Sequence, residues 1–161
     1  NQSDARARSW SPDGQHIVTS SQRGGGSQPL WVLPADGGEA QELTTQPGYE
    51  PDWYFGDIVF RSGDMNIYVT SFVGMDPIQI TWDPASDMSP SWSPEGDAIA
   101  FTSDRGGNED IWVWSFGEGK LQQLTFHSGG DYHPAWSPDG QWIAFASDRN
   151  GNADIWLIRA P

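Results

Sequence analysis

Two loops of the chain carry the same three oxygen-bearing side chains at the same spacing. The two sets are Asp104, Asn108 and Asp110, and Asp148, Asn152 and Asp154. Oxygen ligands that lie close together in a glycine-containing loop can hold calcium. The glutamate that would complete an EF-hand loop is absent, and Asx turns account for the same residues without a metal. The sequence therefore predicts no cofactor, and it leaves calcium in these loops as the alternative.

The three histidines do not form a zinc motif. They are His16, His127 and His133, and Asp131 lies between the last two. A zinc site needs three or four ligands in a defined geometry. No third histidine recurs at an equivalent position, so we predict no metal site among them.

No group of residues has the pattern of a catalytic centre. The chain lacks a Gly-x-Ser-x-Gly motif, which the hydrolase half of a peptidase would carry. Residues 24–27 (Gly-Gly-Gly-Ser) lack the lysine and the following helix of a phosphate-binding loop. The 22 acidic residues show no spacing that singles out a catalytic pair. The sequence therefore predicts that the protein is not an enzyme.

An internal repeat fixes the elements that position these side chains. The motif Trp-Ser-Pro-Asp/Glu-Gly begins at Trp10, Trp92 and Trp136, and a degenerate copy ends at Trp53. The four tryptophans are 43, 39 and 44 residues apart along the chain. This period is typical of four-stranded propeller blades.

Each repeat contains the pattern of four short strands. Ser-Pro-Asp-Gly after the first strand is a type I turn signature. The second and third strands are apolar runs such as 142–146 and 154–158, and the fourth ends in an aliphatic residue followed by threonine. Such runs indicate strands covered on both faces, as in stacked blades. We expect one all-β propeller domain, 1–161, with blades at about 5–45, 46–82, 83–126 and 127–161.

Two segments resemble the WD-like repeat of the TolB β-propeller family. They are Ser147-Asp-Arg-Asn-Gly-Asn-Ala-Asp-Ile-Trp156, which follows Trp136-Ser-Pro-Asp-Gly140, and Ser103-Asp-Arg-Gly-Gly-Asn-Glu-Asp-Ile-Trp112. Similar blades occur in TolB proteins, in tricorn-type proteases and in prolyl-oligopeptidase-like enzymes. The resemblance covers essentially the whole chain, and it implies a β-propeller of four-stranded antiparallel blades. It implies much less about function, because one fold serves many functions.

The starts of the inner strands are our candidate site for a ligand. His133 precedes a proline at such a start, and Ser89 and Glu50 are its counterparts. Asp131 and Asp87 occupy matching positions two residues before His133 and Ser89. Inner-strand starts of a propeller lie near the mouth of its channel. We therefore predict that Glu50, Asp87, Ser89, Asp131 and His133 contact a ligand or partner.

The loops after the second strands contain recurring Asp-Arg pairs. Asp104-Arg105 and Asp148-Arg149 match each other, and Arg23 recurs in the first repeat. Repetition favours charge pairs that tie a loop to its own or the next blade over a ring of binding groups. Removal of one arginine from such a buried pair would leave a lone carboxylate.

Aromatic residues at repeated positions are expected in the core. These are the four motif tryptophans and the third-strand aromatics Trp31, Tyr68, Trp112 and Trp156. Three tryptophans fall outside the shared positions: Trp82, Trp114 and Trp142. An exposed aromatic cluster marks an interface, so these three are the better candidates for a contact surface.

The last repeat lacks its fourth strand. That strand would lie twelve residues beyond Trp156, but the chain has only five residues there. We therefore predict fifteen strands and an open edge strand, Asp154, Ile155, Trp156, Leu157 and Ile158, which pairs with a strand from a neighbour. A segment of a longer propeller, a larger ring of several copies and four self-closing blades are the alternatives for the missing strand.

Charge and composition exclude two classes of partner. The chain has eight basic residues and a formal net charge of −14, and such a surface repels the phosphates of nucleic acid. No run approaches the roughly 18 apolar residues that a membrane-spanning helix needs, so we predict no membrane insertion. The predicted partner is a protein or peptide, or further copies of the chain.

Three functions remain open. The family resemblance implies a non-catalytic protein-interaction or scaffold propeller in the periplasm or outside the cell. The second alternative is the gating propeller of a prolyl-oligopeptidase-like serine peptidase. The third is an extracellular structural subunit whose open blade edges join end to end.

Overall fold

The computed structural model describes residues 6–22 and 27–161, which consist of strands, turns and irregular connections. The chain divides into two compact units, Asn1–Trp82 and Asp83–Pro161. Each unit contains two antiparallel sheets, and each sheet is built from strands that follow one another in sequence. Within the described ranges, no helix has the length and apolar character that crossing a bilayer requires.

The first unit contains the first and second blades, each with four strands. The first blade has the order β1-β2-β3-β4, with β1 at Arg6–Trp10, β2 at His16–Ser20, β3 at Leu30–Pro34 and β4 at Gln41–Glu42. The second has the order β5-β6-β7-β8, with β5 at Gly48–Tyr54, β6 at Asp57–Ser62, β7 at Ile67–Ser71 and β8 at Ile78–Gln79.

The second unit contains the third blade with four strands and the fourth blade with three. The third comprises β9 at Asp87–Trp92, β10 at Ala98–Ser103, β11 at Asp110–Ser115 and β12 at Lys120–Gln123. The fourth comprises β13 at Asp131–Trp136, β14 at Trp142–Ser147 and β15 at Asp154–Arg159. The fifteen strands of the described ranges confirm the predicted all-β fold of four-stranded antiparallel blades, the last of which lacks its outer strand.

The turn between the first and second strands has the predicted chemistry. In the first blade, the Gly14 N–H donates to the Ser11 carbonyl at 2.8 Å, and the Asp13 carboxylate accepts from the Gln15 N–H at 3.0 Å. Gly14 has a φ of +69°, which a residue with a side chain adopts only at a cost. The third and fourth blades repeat the backbone hydrogen bond at 3.0 and 2.9 Å. In the second blade Phe55-Gly56 forms a shorter turn, and Phe55 takes a φ of 44°.

Central strands of the blades form the core of each unit. In the first unit, Val18, Leu30, Ile58 and Phe60 are buried in one cluster. In the second unit, a cluster joins Ile111 and Val113 of the third blade to Ile143 and Phe145 of the fourth. All six residues of β10 are buried, as expected for a strand covered on both faces.

One motif tryptophan departs from the expected core position. Trp53 and Trp92 are buried and Trp136 is half-buried, but Trp10 is 58% exposed. Trp53 packs on the preceding blade of its unit, where its ring lies 6.3 Å from that of His16. Trp10 belongs to the first blade, so no described blade precedes it to cover the indole.

Candidate functional site

Three inner strands contain a β-bulge at the residues predicted for ligand contact. The pairing of β5 shifts register between Tyr49 and Asp52, and β9 and β13 show equivalent shifts. Glu50, Ser89 and His133 lie at these bulges with φ angles of 51°, 50° and 57°. A left-handed backbone conformation costs an L-residue about 1–2 kcal/mol. Strain of this kind at one position in three blades marks a candidate functional site.

The local sequence explains where the bulges form. Each strained residue is followed by a proline: Pro51, Pro90 or Pro134. Proline has no N–H for the strand ladder and is therefore confined to sheet edges and bulges. A bulge bends the strand and changes the direction in which a side chain points. The recurring x-Pro step was thus the sequence signal for this geometry.

In the second unit, the bulges bring two of the predicted residues into contact. The Ser89 Oγ lies 2.9 Å from the His133 Nδ1, and the tautomer of the ring decides which of them donates. The His133 N–H donates to the Thr102 Oγ1 at 3.1 Å, which anchors the bulge to the neighbouring blade of the unit. His133 is exposed and Ser89 is half-buried. We call these two residues the Ser89–His133 pair.

The inner strands that contain Ser89 and His133 also contribute a buried aspartate each to an ion pair. The Arg105 Nη2 donates to both carboxylate oxygens of Asp87 at 2.7 Å, and the Arg149 Nη2 donates to those of Asp131 at 2.9 and 2.8 Å. Each arginine also donates from Nε, at 2.8 Å, to the serine that ends the second strand of its blade. Each ion pair therefore ties the loop after the second strand to the inner strand.

Burial narrows the predicted ligand-contact set. Asp87 and Asp131 are fully buried, and their carboxylates are occupied by arginine. Both carboxylates therefore have a structural role in their blades, and their contact with a ligand stays a prediction. Ser89, His133 and Glu50 are the members of the set that solvent reaches.

The arginines do not pair with the aspartates that precede them in sequence. Asp87 and Asp131, their partners on the inner strands, lie 18 residues earlier in the chain. Arg105 has a second partner, because its Nη1 lies 2.7 Å from the Asp83 Oδ2. Asp104 and Asp148 instead accept backbone N–H groups, from Ser86 at 2.9 Å and from Gly130 at 2.7 Å. The repeated spacing of 18 residues between aspartate and arginine could have revealed the true partners. Arg23 lies outside the described residues.

Glu50 belongs to the first unit and has a basic neighbour there. The Glu50 Oε2 lies 3.5 Å from the Arg61 Nε. The Arg61 guanidinium carbon is 4.4 Å from the centroid of the Tyr49 ring, a cation–π distance. Glu50 is half-buried, so its bulge presents a partly neutralised carboxylate.

Hydrogen bonds within the protein account for the residues of the candidate calcium loop in the third blade. The Asn108 Nδ2 donates to the His127 carbonyl at 2.9 Å. The Asp110 carboxylate accepts from the Thr125 hydroxyl at 3.1 Å and from the Gln123 amide at 3.0 Å, and burial raises its pKa. Among the described residues, no three His, Cys, Asp or Glu side chains are grouped as a metal site.

The chemistry that the Ser89–His133 pair offers is hydrogen bonding. A serine nucleophile needs a base that a third group orients. The carboxylate two residues before His133, that of Asp131, is bonded through both oxygens to Arg149. A hydroxyl and an imidazole at the surface together donate and accept hydrogen bonds, which suits the recognition of a polar backbone or side chain.

The predicted open edge corresponds to β15. This strand pairs with β14 and is the last strand of its sheet. Ile155 and Leu157 are 75% and 64% exposed, and Trp156 and Ile158 are half-buried. Asp154 is exposed as well.

Two of the unrepeated tryptophans are exposed. The exposed side chains are those of Trp82 and Trp142, whereas Trp114 is half-buried. The Arg159 guanidinium carbon lies 5.6 Å from the Trp142 ring centroid. The third-strand aromatics at Trp31, Tyr68, Trp112 and Trp156 are half-buried, so they form the margin of the core.

These blades define the class of the protein: a β-propeller domain. A family model described as the TolB beta propeller domain matches residues 47–132, more than half of the chain. The chain therefore belongs to the TolB β-propeller family.

Solved structures show the same fold. A protein described as TolB from Agrobacterium tumefaciens aligns over 99% of the chain with a TM-score of 0.86 and 24% identity, and TolB from Acinetobacter baumannii aligns over 98% with a TM-score of 0.83 and 23% identity. The tricorn protease aligns over 96% with a TM-score of 0.71 and 18% identity. The chain spans 59%, 41% and 16% of these three proteins.

Proposed function

We propose that this chain is a non-catalytic propeller scaffold that binds a protein or peptide partner at the Ser89–His133 pair. The observation that carries the proposal is the left-handed conformation of these two non-glycine residues at equivalent bulges. Glycine would adopt this backbone without strain. A protein that keeps serine and histidine there retains side chains that glycine cannot supply.

The surroundings of the pair support rigid recognition. Its two inner strands are held by fully buried aspartates that are bonded to Arg105 and Arg149. A site on rigid elements loses little entropy when a partner binds. The pair offers a hydroxyl and an imidazole, which match the donors and acceptors of a peptide. The family resemblance supports a location in the periplasm or outside the cell.

A non-catalytic role fits the chemistry of this site better than the peptidase alternative. The tricorn protease is similar in fold at 18% identity, and the chain spans 16% of it. Similarity at this level supports a shared propeller architecture but does not extend to the chemistry of the enzyme. The carboxylate nearest in sequence to His133 is bonded to arginine, which leaves the pair as hydrogen-bonding groups.

A glycine double substitution tests the proposal. Random peptides displayed on phage are selected on the immobilised 161-residue chain, and the affinities of the selected peptides are compared for the original chain and for Ser89→Gly/His133→Gly. We expect the double variant to lose binding at least tenfold, while its free energy of unfolding is unchanged or rises by about 1 kcal/mol because strain is relieved.

Met65→Gly is the matched control. Met65 is also a non-glycine residue with positive φ, at 65°, but it lies in the turn between β6 and β7. We expect this variant to bind the selected peptides with the original affinity. Peptides that bind the Ser89→Gly/His133→Gly chain as tightly as the original would refute the proposed site.

A further inference from the structure

A cavity of about 440 Å³ opens between the first and second blades, at the end where their first and second strands turn. Its lining includes the aromatic side chains of Trp53, Phe55 and Phe72 and the imidazole of His16. Cavities of roughly 300–1,000 Å³ with mainly apolar walls are the usual binding sites for small molecules. All of its lining residues belong to the first unit, whereas the proposed partner site belongs to the second.

Three of the rings pack against one another and form an aromatic wall. The Phe72 ring centroid lies 5.1 Å from that of His16 and 5.3 Å from that of Trp53. The Trp53 Nε1 donates to the Phe55 carbonyl at 2.7 Å, so the indole and the turn that contains Phe55 hold each other in place. Because the wall is formed before a ligand arrives, little entropy is lost when the ligand binds.

This aromatic lining departs from the repeat. The equivalent groove of the second unit has Ala98 at the position of His16. The Phe72 N–H donates to the Gly56 carbonyl in the turn of its blade, and the Ala160 N–H makes the equivalent bond in the fourth blade. An alanine therefore replaces each of the two rings in the second unit. The aromatic wall is not a requirement that all blades share.

Phe55 is both strained and exposed at this cavity. Its φ of 44° is left-handed, and the residue is 71% exposed. Glycine would adopt this backbone without the cost that an L-residue meets. Residues held in such conformations cluster at active sites and ligand clamps. The strained backbone and the exposed ring together indicate that Phe55 contacts a ligand.

One carboxylate, that of Asp13, lies in the lining of the aromatic cavity. Its Oδ1 accepts from the Ser11 hydroxyl and from the Gln15 N–H, and these bonds lower the pKa of Asp13. The carboxylate is therefore ionised at neutral pH. Among the described residues that line the cavity, His16 is the basic side chain, and no lysine or arginine neutralises Asp13. A negative charge beside aromatic rings is complementary to a cation with an apolar body.

We infer that this cavity binds a small organic cation of the quaternary ammonium class. The positive head lies against the faces of the rings, which attract cations, and the Asp13 carboxylate balances its charge. A primary ammonium or a guanidinium would need several hydrogen-bond acceptors. The Phe55 and Gly56 carbonyls at the cavity already accept from Trp53 and Phe72. A head of methyl groups has no such need, and it therefore fits this lining better.

Choline is the probe, and its neutral match is dimethylbutanol, in which a carbon atom replaces the quaternary nitrogen. Binding of each compound to the 161-residue chain is followed by the NMR signal of the Trp53 indole N–H. We expect choline to shift this signal with a Kd on the order of 1 mM. Dimethylbutanol should bind roughly fivefold more weakly, because the rings and the carboxylate attract the positive charge.

Asp13→Asn tests the role of the carboxylate. The asparagine oxygen still accepts from Ser11 and Gln15, so the turn is kept while the charge is removed. We expect choline to bind roughly fivefold more weakly to this variant and dimethylbutanol to bind as before. Asp139→Asn is the matched control, because Asp139 makes the same turn bonds in the fourth blade and does not line the cavity. The control should bind both compounds as the original chain does.

Phe55→Leu tests the role of the exposed ring. Leucine keeps an apolar side chain at the cavity and removes the aromatic face. We expect this variant to lose affinity for choline roughly threefold and to bind dimethylbutanol as the original chain does. Ser89→Gly/His133→Gly should bind choline normally, which separates this cavity from the proposed partner site.

Three results would overturn the inference. The first is the absence of a saturable shift up to about 20 mM choline, far above the expected Kd. The second is equal affinity for choline and dimethylbutanol. The third is an equal loss of choline binding in Asp13→Asn and Asp139→Asn, because the cation would then be attracted only by the net charge of −14. A trimethyl-lysine peptide that binds more tightly than choline would overturn the assignment to a free small molecule.

Discussion

The third strands of the third and fourth blades have nearly the same sequence and very different surroundings. β11 begins Asp110-Ile111-Trp112, and β15 begins Asp-Ile-Trp as well. Ile111 is fully buried, whereas Ile155 is 75% exposed. The tryptophans of both strands are half-buried. The same residue at the same position of the repeat can therefore be buried in one blade and exposed in another.

Two different neighbours account for the difference. Ile111 packs against Ile143 and Phe145 of the following blade, and no described blade follows β15. Asp110 is covered by β12 of its own blade, through Gln123 and Thr125. The comparison therefore distinguishes contacts within the first three strands of a blade from contacts with the next blade or with the fourth strand.

The third and fourth blades each form an ion pair between an arginine and an aspartate of the same blade. Arg105 lies 5.2 Å from the Trp112 ring centroid, and Arg149 lies 4.4 Å from that of Trp156. Each arginine bonds the buried aspartate of its own inner strand. The fourth blade keeps this arrangement with only three strands among the described residues, so the arrangement does not depend on a fourth strand.

Arg105→Met and Arg149→Met are expected to cause the largest losses of stability. Each change keeps the apolar stem and leaves a fully buried carboxylate without its cation, which costs about 3–5 kcal/mol. The measurement is the free energy of unfolding in urea. We expect the larger loss from Arg105→Met, because Arg105 also pairs with Asp83 at 2.7 Å. A loss under about 1 kcal/mol, the range of surface ion pairs, would contradict the structural role given to these pairs.

Ile111→Ala and Ile155→Ala test the contrast between the two strands directly. Ile111→Ala opens a cavity in the core of the second unit and should cost about 2–5 kcal/mol. Ile155→Ala removes an exposed side chain and should change the free energy of unfolding by less than about 0.5 kcal/mol. Equal losses from the two substitutions in urea unfolding would show that β15 is covered in solution.

Local sequence predicted the elements of the fold well. The tryptophan motif, its turn and the aliphatic-threonine end of the outer strands recur at blade period, and each feature depends on contacts within one blade. The turn at Ser11 and Gly14 is an example, because hydrogen bonds between close neighbours form it. The three strands of the last blade were predicted from the same repeat.

Properties that depend on distant partners were harder to predict. Arg105 was predicted to take part in a charge pair that ties its loop to its own or the next blade, but its partner Asp87 follows only from the folding of one strand back on another. Trp10 repeats a core motif but is exposed, because no described blade precedes it. The candidate site was found by position within the repeat, and the x-Pro step is a local signal for its bulges. The left-handed φ of Ser89 and His133 is seen only in the structure.

The smallest expected effect concerns the pH dependence of stability at Asp110. Burial raises the pKa of Asp110 in the folded protein. The folded state therefore binds this proton more tightly than the unfolded chain, so the contribution is favourable below the unfolded pKa of about 3.9. That contribution is lost as the pH rises through the folded value. At neutral pH, ionised Asp110 reduces the stability of the fold.

The effect of Asp110→Asn on the free energy of unfolding should therefore be more favourable at high pH than at low pH. The asparagine oxygen still accepts from the Thr125 hydroxyl, whereas its amide nitrogen cannot accept from the Gln123 amide, and that loss is the same at every pH. We compare the free energy of unfolding of the variant with that of the original chain, measured in urea at pH about 8 and at pH about 5. We expect the gain in the variant to be larger at pH about 8, by under about 1 kcal/mol. A stability difference between the variant and the original chain that is the same at both pH values would contradict the raised pKa of Asp110.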